Sequence, residues 1–178
     1  DAALVLQAWT LLNEADIVIA HNGKKFDVPM INGFFLRHGF PPPSPYKVID
    51  TYRIVKRKFK LTSNSLAYVA KFLGVTQKLD SGGIAAWKAA YFGDPVALVN
   101  MLTYNKGDID TLRAVYKIIR GWDNDGVNMG VYSEHSAVCS NCGSDKISVL
   151  EDRYQFTALS KFGLVRCSSC KAISRFRK

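Results

Sequence analysis

The sequence predicts an α/β region followed by a small β module. Two short apolar runs of strand type each lead into a helical pattern, further helices follow, and all four cysteines lie in the last 40 residues. We expect residues 1–122 to form the α/β domain, 123–136 a polar, glycine-rich linker and 137–178 the β module.

The first 60 residues alternate between helical and strand patterns. Apolar spacing predicts a helix over 2–14, a buried strand at 17–20 and a helix over 28–38 that follows the turn HNGKKFD. A proline-rich connector then leads into a second strand at 46–50, and Asp50 can cap the helix that follows and ends near residue 59.

Residues 61–120 predict helices alone. Ser63 or Asn64 is expected to cap the first of them, and a polar turn is predicted at 77–83. Asp94 is expected to cap the last helix, which is predicted to break near 105–107. Two strands cannot cover the apolar faces of so many helices, so we expect further strands of the sheet to lie upstream or in another molecule.

The positive charge is concentrated in the α/β region. The formal net charge is +9, and residues 1–122 hold 16 Lys and Arg against 9 Asp and Glu. This balance favours an anionic partner such as nucleic acid, and no apolar run is long enough to span a membrane. A solvated helix face explains the densest cluster equally well; its members are Arg53, Lys56, Arg57, Lys58 and Lys60.

The cysteines form two closely spaced pairs, Cys139-x-x-Cys142 and Cys167-x-x-Cys170. Such pairs can direct four thiolates to one tetrahedral Zn²⁺ ion. Two disulfides are the alternative, but nothing in this basic sequence points to an oxidising compartment. Because protein fills all four positions, the predicted zinc is structural. Short strands are predicted at 148–150, 154–156, 164–166 and 173–176, and they make the module a zinc ribbon. Its interleaved cations and aromatics suit nucleic-acid contact and a small core equally.

Two stretches place carboxylates where chemistry is expected. In IVIAHNGKKFD, Asp27 follows the carboxyl end of a strand, where open α/β sheets bind ligands, although helix capping alone would also explain it. In YNKGD, Tyr104 and Asp108 lie one helical turn apart, so the phenol and the carboxylate can reach one point. We interpret His21 as a hydrogen-bonding residue at the strand end rather than a base.

Together, HNGKKFD and the later YNKGD resemble the second and third motifs of the ribonuclease-H-like, DnaQ-type exonucleases. The chain is similar in particular to predicted 3′–5′ exonucleases related to the proofreading domain of family B DNA polymerases, and to phage and bacterial members that end in a zinc ribbon. The stretches that extend the resemblance are VIDTYRI, SNSLAYVAKFLGV, the GDP break, CSNCGS and VRCSSCK.

The resemblance implies roles for individual residues. Asp27 and Asp108 correspond to two of four acidic ligands that hold a pair of Mg²⁺ or Mn²⁺ ions, and Tyr104 corresponds to the residue that positions the attacking water in the tyrosine-bearing (DEDDy) subgroup. Asn22 and Phe26 correspond to substrate-facing or packing members of the second motif. Hard carboxylate oxygens suit these ions, and such ion pairs activate a hydroxide and stabilise the leaving oxygen in phosphodiester hydrolysis.

The family's first motif, an Asp-x-Glu pair on the first strand, does not occur in these 178 residues. We expect the motif and the opening strands to lie upstream or in a partner polypeptide, or the exposed sheet edge to associate with another copy. The predicted fold class is therefore α/β, a ribonuclease-H-like exonuclease domain lacking its first strands, plus a small β zinc ribbon. We expect weak or no nuclease activity from the 178 residues alone.

Two functional hypotheses follow from the resemblance. The first is a two-metal-dependent 3′–5′ exonuclease that hydrolyses nucleic acid, DNA in preference to RNA, with the cluster at 53–60 contacting substrate phosphates. The second is a non-catalytic nucleic-acid-binding or scaffold module that keeps the fold and the ribbon. The expected location is the cytoplasm of a bacterial or phage-infected cell.

Overall fold

The computed structural model describes residues 2–75, 82–123, 126–134 and 137–177. They form two compact units: one comprises residues 1–60 and 117–178, and the other comprises residues 61–116. The described structure is mixed α and β, as predicted. No described helix is both long and apolar enough to cross a membrane.

The first part of the larger unit contains three helices and two strands. These are α1 (Ala2–Glu14), β1 (Ile17–Ala20), α2 (Asp27–Arg37), β2 (Lys47–Asp50) and α3 (Thr51–Lys58). The two strands pair in parallel, with Ile17 opposite Lys47 and Ala20 opposite Asp50. Their carboxyl ends therefore meet at one edge, and the segments that follow both strands begin there.

The proline-rich connector packs against α1. The Trp9 Nε1 donates a hydrogen bond of 2.7 Å to the Pro41 carbonyl oxygen, and the Trp9 ring stacks on Phe40 at 5.9 Å between centroids. The Asn13 Oδ1 accepts a hydrogen bond of 2.9 Å from the Ser44 backbone N–H. These contacts hold the connector in place on the way from α2 to β2.

The smaller unit is helical, with α4 at Leu66–Phe72, α5 at Gly83–Tyr91 and α6 beginning at Pro95. The prediction that Ser63 or Asn64 caps α4 is wrong: Ser65 is the N-cap, and its hydroxyl accepts from the Tyr68 N–H at 3.3 Å. The turn predicted at 77–83 lies largely outside the described residues. In agreement with the sequence, Asp94 caps α6 by accepting from the Ala97 N–H at 2.8 Å.

Helix α6 runs without interruption from Pro95 to Ile119. The break predicted near 105–107 is therefore wrong. A glycine inside a helix costs only about 1 kcal/mol relative to alanine, and a capped helix of 25 residues tolerates Gly107. Because the helix is continuous, Tyr104 and Asp108 project from one face.

The cysteine-bearing module is a three-stranded antiparallel sheet in the order β3-β4-β5. Its strands are β3 (Ile147–Phe156), β4 (Lys161–Cys167) and β5 (Ile173–Phe176). The two short strands predicted at 148–150 and 154–156 are one strand, β3, whose register shifts between Leu150 and Tyr154.

The described part of the segment predicted as a linker makes contacts on both sides. The Arg57 Nη2 lies 3.0 Å from the Asp123 Oδ1, and the Met129 N–H donates to the Ser140 carbonyl oxygen at 2.7 Å. Residues 124–125 and 135–136 lie outside the described part. The boundaries at 122 and 137 stay a prediction, because these contacts do not test whether either part folds alone.

Candidate functional site

Asp27 is the first residue of α2 and lies just beyond the carboxyl end of β1. The N-cap position belongs to Phe26, which makes no side-chain capping bond, so Asp27 is not the cap of this helix. Its side chain is exposed. Gly23 gives the turn its tight path, since a Cβ there would overlap the Cβ of Ala20 and would lie 3.5 Å from the Asp27 Oδ2.

Asp50 holds the turn that precedes Asp27. Asp50 is 5% exposed, and its carboxylate accepts three backbone hydrogen bonds. The Oδ1 accepts from the Asn22 N–H at 2.8 Å and the Tyr52 N–H at 3.1 Å, and the Oδ2 accepts from the Lys24 N–H at 3.2 Å. Asp50 thus caps α3 and also binds the turn that follows the neighbouring strand β1. The sequence indicated only the first of these roles.

Asn22 adopts a left-handed conformation, with φ of +68°. Asparagine is one of the few residues other than glycine that adopt this conformation readily. Its backbone N–H faces Asp50, and its carbonyl oxygen accepts from the Phe26 N–H at 3.1 Å. Phe26 is 58% exposed. These positions do not test whether Asn22 and Phe26 contact substrate, and that role stays a prediction.

His21 makes a hydrogen bond at the strand end, in line with its interpretation. Its Nδ1 lies 2.8 Å from the Thr51 Oγ1, and the Thr51 hydroxyl donates to the Ala20 carbonyl oxygen at 2.9 Å. Because a hydroxyl has one proton to donate, the His21 Nδ1 carries the proton of the first bond. His21 therefore links the end of β1 to the start of α3.

Tyr104 and Asp108 form a hydrogen-bonded pair on α6. Partial burial raises the pKa of Tyr104, and the Asp108 charge and hydrogen bond raise it further. Burial raises the pKa of Asp108, while the hydrogen bond from Tyr104 lowers it in part. The phenol therefore stays protonated at neutral pH and donates to the carboxylate.

Asp27 lies in the larger unit, whereas Tyr104 and Asp108 lie in the smaller one. Their joint action on one substrate stays a prediction. The cationic cluster lies on or just after α3. Four of its residues are exposed, and Lys58 is half-buried. Phosphate binding by Arg53, Lys56, Arg57, Lys58 and Lys60 likewise stays a prediction.

The four cysteines converge as the spacing predicted. The sulfur atoms of Cys139, Cys142, Cys167 and Cys170 all lie within 4.8 Å of one another. The Sγ of Cys139 is 3.6 Å from that of Cys170, and the Sγ of Cys142 is 3.7 Å from that of Cys167. Four sulfurs around a tetrahedral zinc at about 2.3 Å lie about 3.8 Å apart. The cluster therefore suits a structural metal such as Zn²⁺.

The two halves of the cluster share one backbone arrangement. The Gly143 N–H donates to the Cys139 carbonyl oxygen at 2.8 Å, and the Lys171 N–H donates to that of Cys167 at 3.0 Å. Gly143 has φ of +73° and Lys171 has φ of +63°. Each cysteine pair thus closes through a left-handed residue immediately after its second cysteine.

Backbone donors near the sulfurs favour thiolates. Burial raises the pKa of Cys167, but hydrogen bonds, led by those from the N–H groups of Cys170 and Ser169, outweigh it and lower the pKa to about 6. Burial raises the pKa of Cys139 and of Cys170, and backbone N–H groups offset part of the rise. A bound cation would supply the remaining stabilisation, because metal binding displaces the thiol protons.

Comparison with known proteins decides the family. A model of the RNase_H superfamily matches residues 1–120. The chain belongs to the RNase_H superfamily. No match was found among curated proteins or among solved structures. Members of this superfamily are generally nucleases, which usually use Mg²⁺ or Mn²⁺.

The RNase_H superfamily match covers the parallel strands, the turn that carries Asp27 and the whole of α6. Sequence reasoning missed the second role of Asp50 within this region. The one sequence signal for this role was the position of Asp50 at the end of β2, because the carboxyl ends of neighbouring parallel strands lie side by side.

Proposed function

We propose that this chain is a divalent-metal-dependent 3′–5′ exonuclease of the DnaQ-like, tyrosine-bearing subgroup, related to the exonuclease domain of family B DNA polymerases. The RNase_H superfamily match over residues 1–120 carries the proposal. The exposed carboxylate of Asp27 at the carboxyl edge of the β1–β2 pair supports it, since ligands of open α/β sheets bind at that edge.

Asp27 and Asp108 would hold the divalent ions, because Mg²⁺ and Mn²⁺ prefer carboxylate oxygens. When bound, such ions lower the pKa of water and offset the charge of the phosphate oxygens. Tyr104 keeps its proton and would orient the attacking water by a hydrogen bond, while its bond to Asp108 holds the phenol in place. Asn22, Phe26 and the cations at 53–60 would contact the strand being shortened.

The proposed substrate is DNA in preference to RNA, and the proposed role of the zinc is structural. Four carboxylates are expected in this subgroup, and the 178 residues contain no Asp-x-Glu pair. We therefore propose that the other two carboxylates come from residues outside this sequence. Of the weak or absent activity expected from these residues alone, we propose slow cleavage, because Asp27 and Asp108 supply two of the four ligands.

The test is a cleavage assay with single-stranded oligonucleotides labelled at the 5′ or the 3′ end, in Mg²⁺ or Mn²⁺. The proposal predicts slow release of mononucleotides from the 3′ end, which Asp27→Asn and Asp108→Asn each abolish. Asp110→Asn is the matched control, because Asp110 lies on the same helix as Asp108 and its side chain is 74% exposed.

Cleavage that survives Asp27→Asn would contradict the proposal. Absence of cleavage from the wild-type chain, together with oligonucleotide binding, would favour the non-catalytic binding module instead.

A further inference from the structure

Two clefts adjoin one another in the larger unit. The first, of about 520 Å³, runs along β2 and α3 and is lined by Lys24, Lys47, Arg53 and Arg57, among others. The second, of about 640 Å³, reaches the ribbon, where Lys58 and Arg175 contribute to its lining. Asp123 and residues 126–128 line both clefts.

The combined lining is strongly cationic. Six Lys and Arg side chains contribute to it, against the two carboxylates of Asp50 and Asp123. Asp50 is buried and accepts three backbone hydrogen bonds, and Asp123 is paired with Arg57. Both negative charges are thus engaged within the protein, Asp123 with Arg57, and the other five cations give the clefts a net positive charge.

The linings of the two clefts lead from the ribbon to the turn that precedes Asp27. Lys24 lies in the turn that leads to Asp27, and Arg175 lies on β5 of the ribbon. A linear polyanion that occupies both clefts would therefore extend from the ribbon to the turn that carries Asp27. Each cleft has the volume of a small-ligand site, which suits successive nucleotides of one strand better than a double helix.

We propose that these two clefts bind the backbone of single-stranded nucleic acid and guide its end toward Asp27. The orientation toward Asp27 rests on the proposed exonuclease function, whereas binding itself does not. Of the predicted cluster, Arg53, Arg57 and Lys58 line the clefts, and Lys56 and Lys60 do not. The ribbon then contributes to substrate binding through Arg175, whose guanidinium lies 4.7 Å from the centre of the Phe162 ring.

The test measures binding of a short fluorescein-labelled oligo(dT) by anisotropy, with the zinc-loaded chain and without added Mg²⁺ or Mn²⁺. Lys47→Glu and Arg175→Glu change one cleft each, and each should weaken binding about tenfold or more. The slope of log K against log salt should fall by about 0.7 for each phosphate that a variant no longer neutralises. Arg175→Lys retains the charge and should retain the affinity, which separates the effect of charge from damage to the ribbon.

Lys146→Glu is the matched control, because Lys146 is an exposed ribbon residue outside both linings. It should bind oligo(dT) like the wild type. An equal reduction of affinity in Lys146→Glu, or a reduction confined to variants of one of the two clefts, would overturn the proposal. Equal affinity for a duplex, or for an acidic peptide of the same charge, would also overturn it.

Asp27→Asn separates the two proposals. It should bind oligo(dT) with wild-type affinity while cleavage is abolished. If the cleft variants bind normally, the cleft proposal fails and the exonuclease proposal stands. If binding follows the clefts but no form cleaves, the exonuclease proposal fails alone.

Discussion

Replacement of Asp50 by alanine should destabilise the protein although Asp50 is not a proposed ligand. The carboxylate is the acceptor for the backbone N–H groups of Asn22, Lys24 and Tyr52. Loss of the bond to Tyr52 removes an N-cap, which costs about 1 kcal/mol. The other two donors are part-buried, and each N–H left without an acceptor costs at least about 1 kcal/mol. The expected decrease in the free energy of unfolding is about 3 kcal/mol.

Asp50→Asn provides a graded comparison. Its remaining carbonyl oxygen can replace the Oδ1, which accepts from Asn22 and Tyr52, and only the bond to Lys24 is removed. Neutral acceptors are weaker than charged ones, so we expect a decrease of about 1–1.5 kcal/mol. Asp110→Ala is the control: it removes only an exposed pairing with Arg113 at 3.7 Å, and should cost less than about 0.5 kcal/mol.

The assay is urea unfolding at saturating zinc, followed by circular dichroism, with the free energy of unfolding extrapolated to water. We expect the order wild type, Asp50→Asn, Asp50→Ala from most to least stable. Equal stability of Asp50→Ala and the wild type, or equal destabilisation in the two variants, would refute the assignment of three bonds to this carboxylate.

Three further predictions concern α6 and the ribbon. In the protein without divalent ions, Tyr104→Phe should raise the pKa of Asp108 further, because the substitution removes the hydrogen bond that lowers that pKa. Titration followed by the carboxyl ¹³C resonance of Asp108 measures the pKa. An unchanged or lowered pKa would contradict the pairing of Tyr104 with Asp108. Gly121→Ala should lower stability by about 1–3 kcal/mol in thermal unfolding, since its Cβ would overlap the Cys170 carbonyl oxygen. Gly33→Ala, whose Cβ meets nothing within 4 Å, should be neutral or stabilising, and equal destabilisation by both substitutions would argue against the clash. Cys142→Ser should reduce bound zinc from about one equivalent to near none and expose the ribbon to proteolysis; retained zinc would count against a four-cysteine site.

Local patterns sufficed to locate β1, β2 and the cysteine cluster. The predicted burial of β1 is wrong, because Ile19 is 39% exposed and no residue of the strand is fully buried. IVIA is an apolar run bounded by polar residues. In each CxxC pair, the residue after the second cysteine donates its N–H to the carbonyl oxygen of the first cysteine. Such features depend on neighbours in the sequence, so the sequence alone predicts them.

Competition between similar local signals explains two wrong predictions, the cap of α4 and the break in α6. Ser63, Asn64 and Ser65 can all cap a helix, and only the course of the backbone selects Ser65. The glycine at 107 suggested a break, but the weak preference of one residue is overcome by the rest of a long helix.

The second role of Asp50 depends on contacts distant in sequence. Its bonds to Asn22 and Lys24 exist because Ala20 lies opposite Asp50 in the parallel pair. That register is set by packing of the whole unit and leaves no local sequence signal. The same applies to the clefts, which join residues of β2, α3 and the ribbon.

Mn²⁺ binding tests most directly whether Asp27 and Asp108 hold one catalytic ion. The signal of free Mn²⁺ in electron paramagnetic resonance, followed during titration of the zinc-loaded chain, counts the ions bound. With two carboxylates of the expected four, the chain should bind at most one Mn²⁺, and Asp27→Asn and Asp108→Asn should each remove it, while Asp110→Asn retains it. Unchanged binding in either Asp27→Asn or Asp108→Asn would contradict a shared metal site.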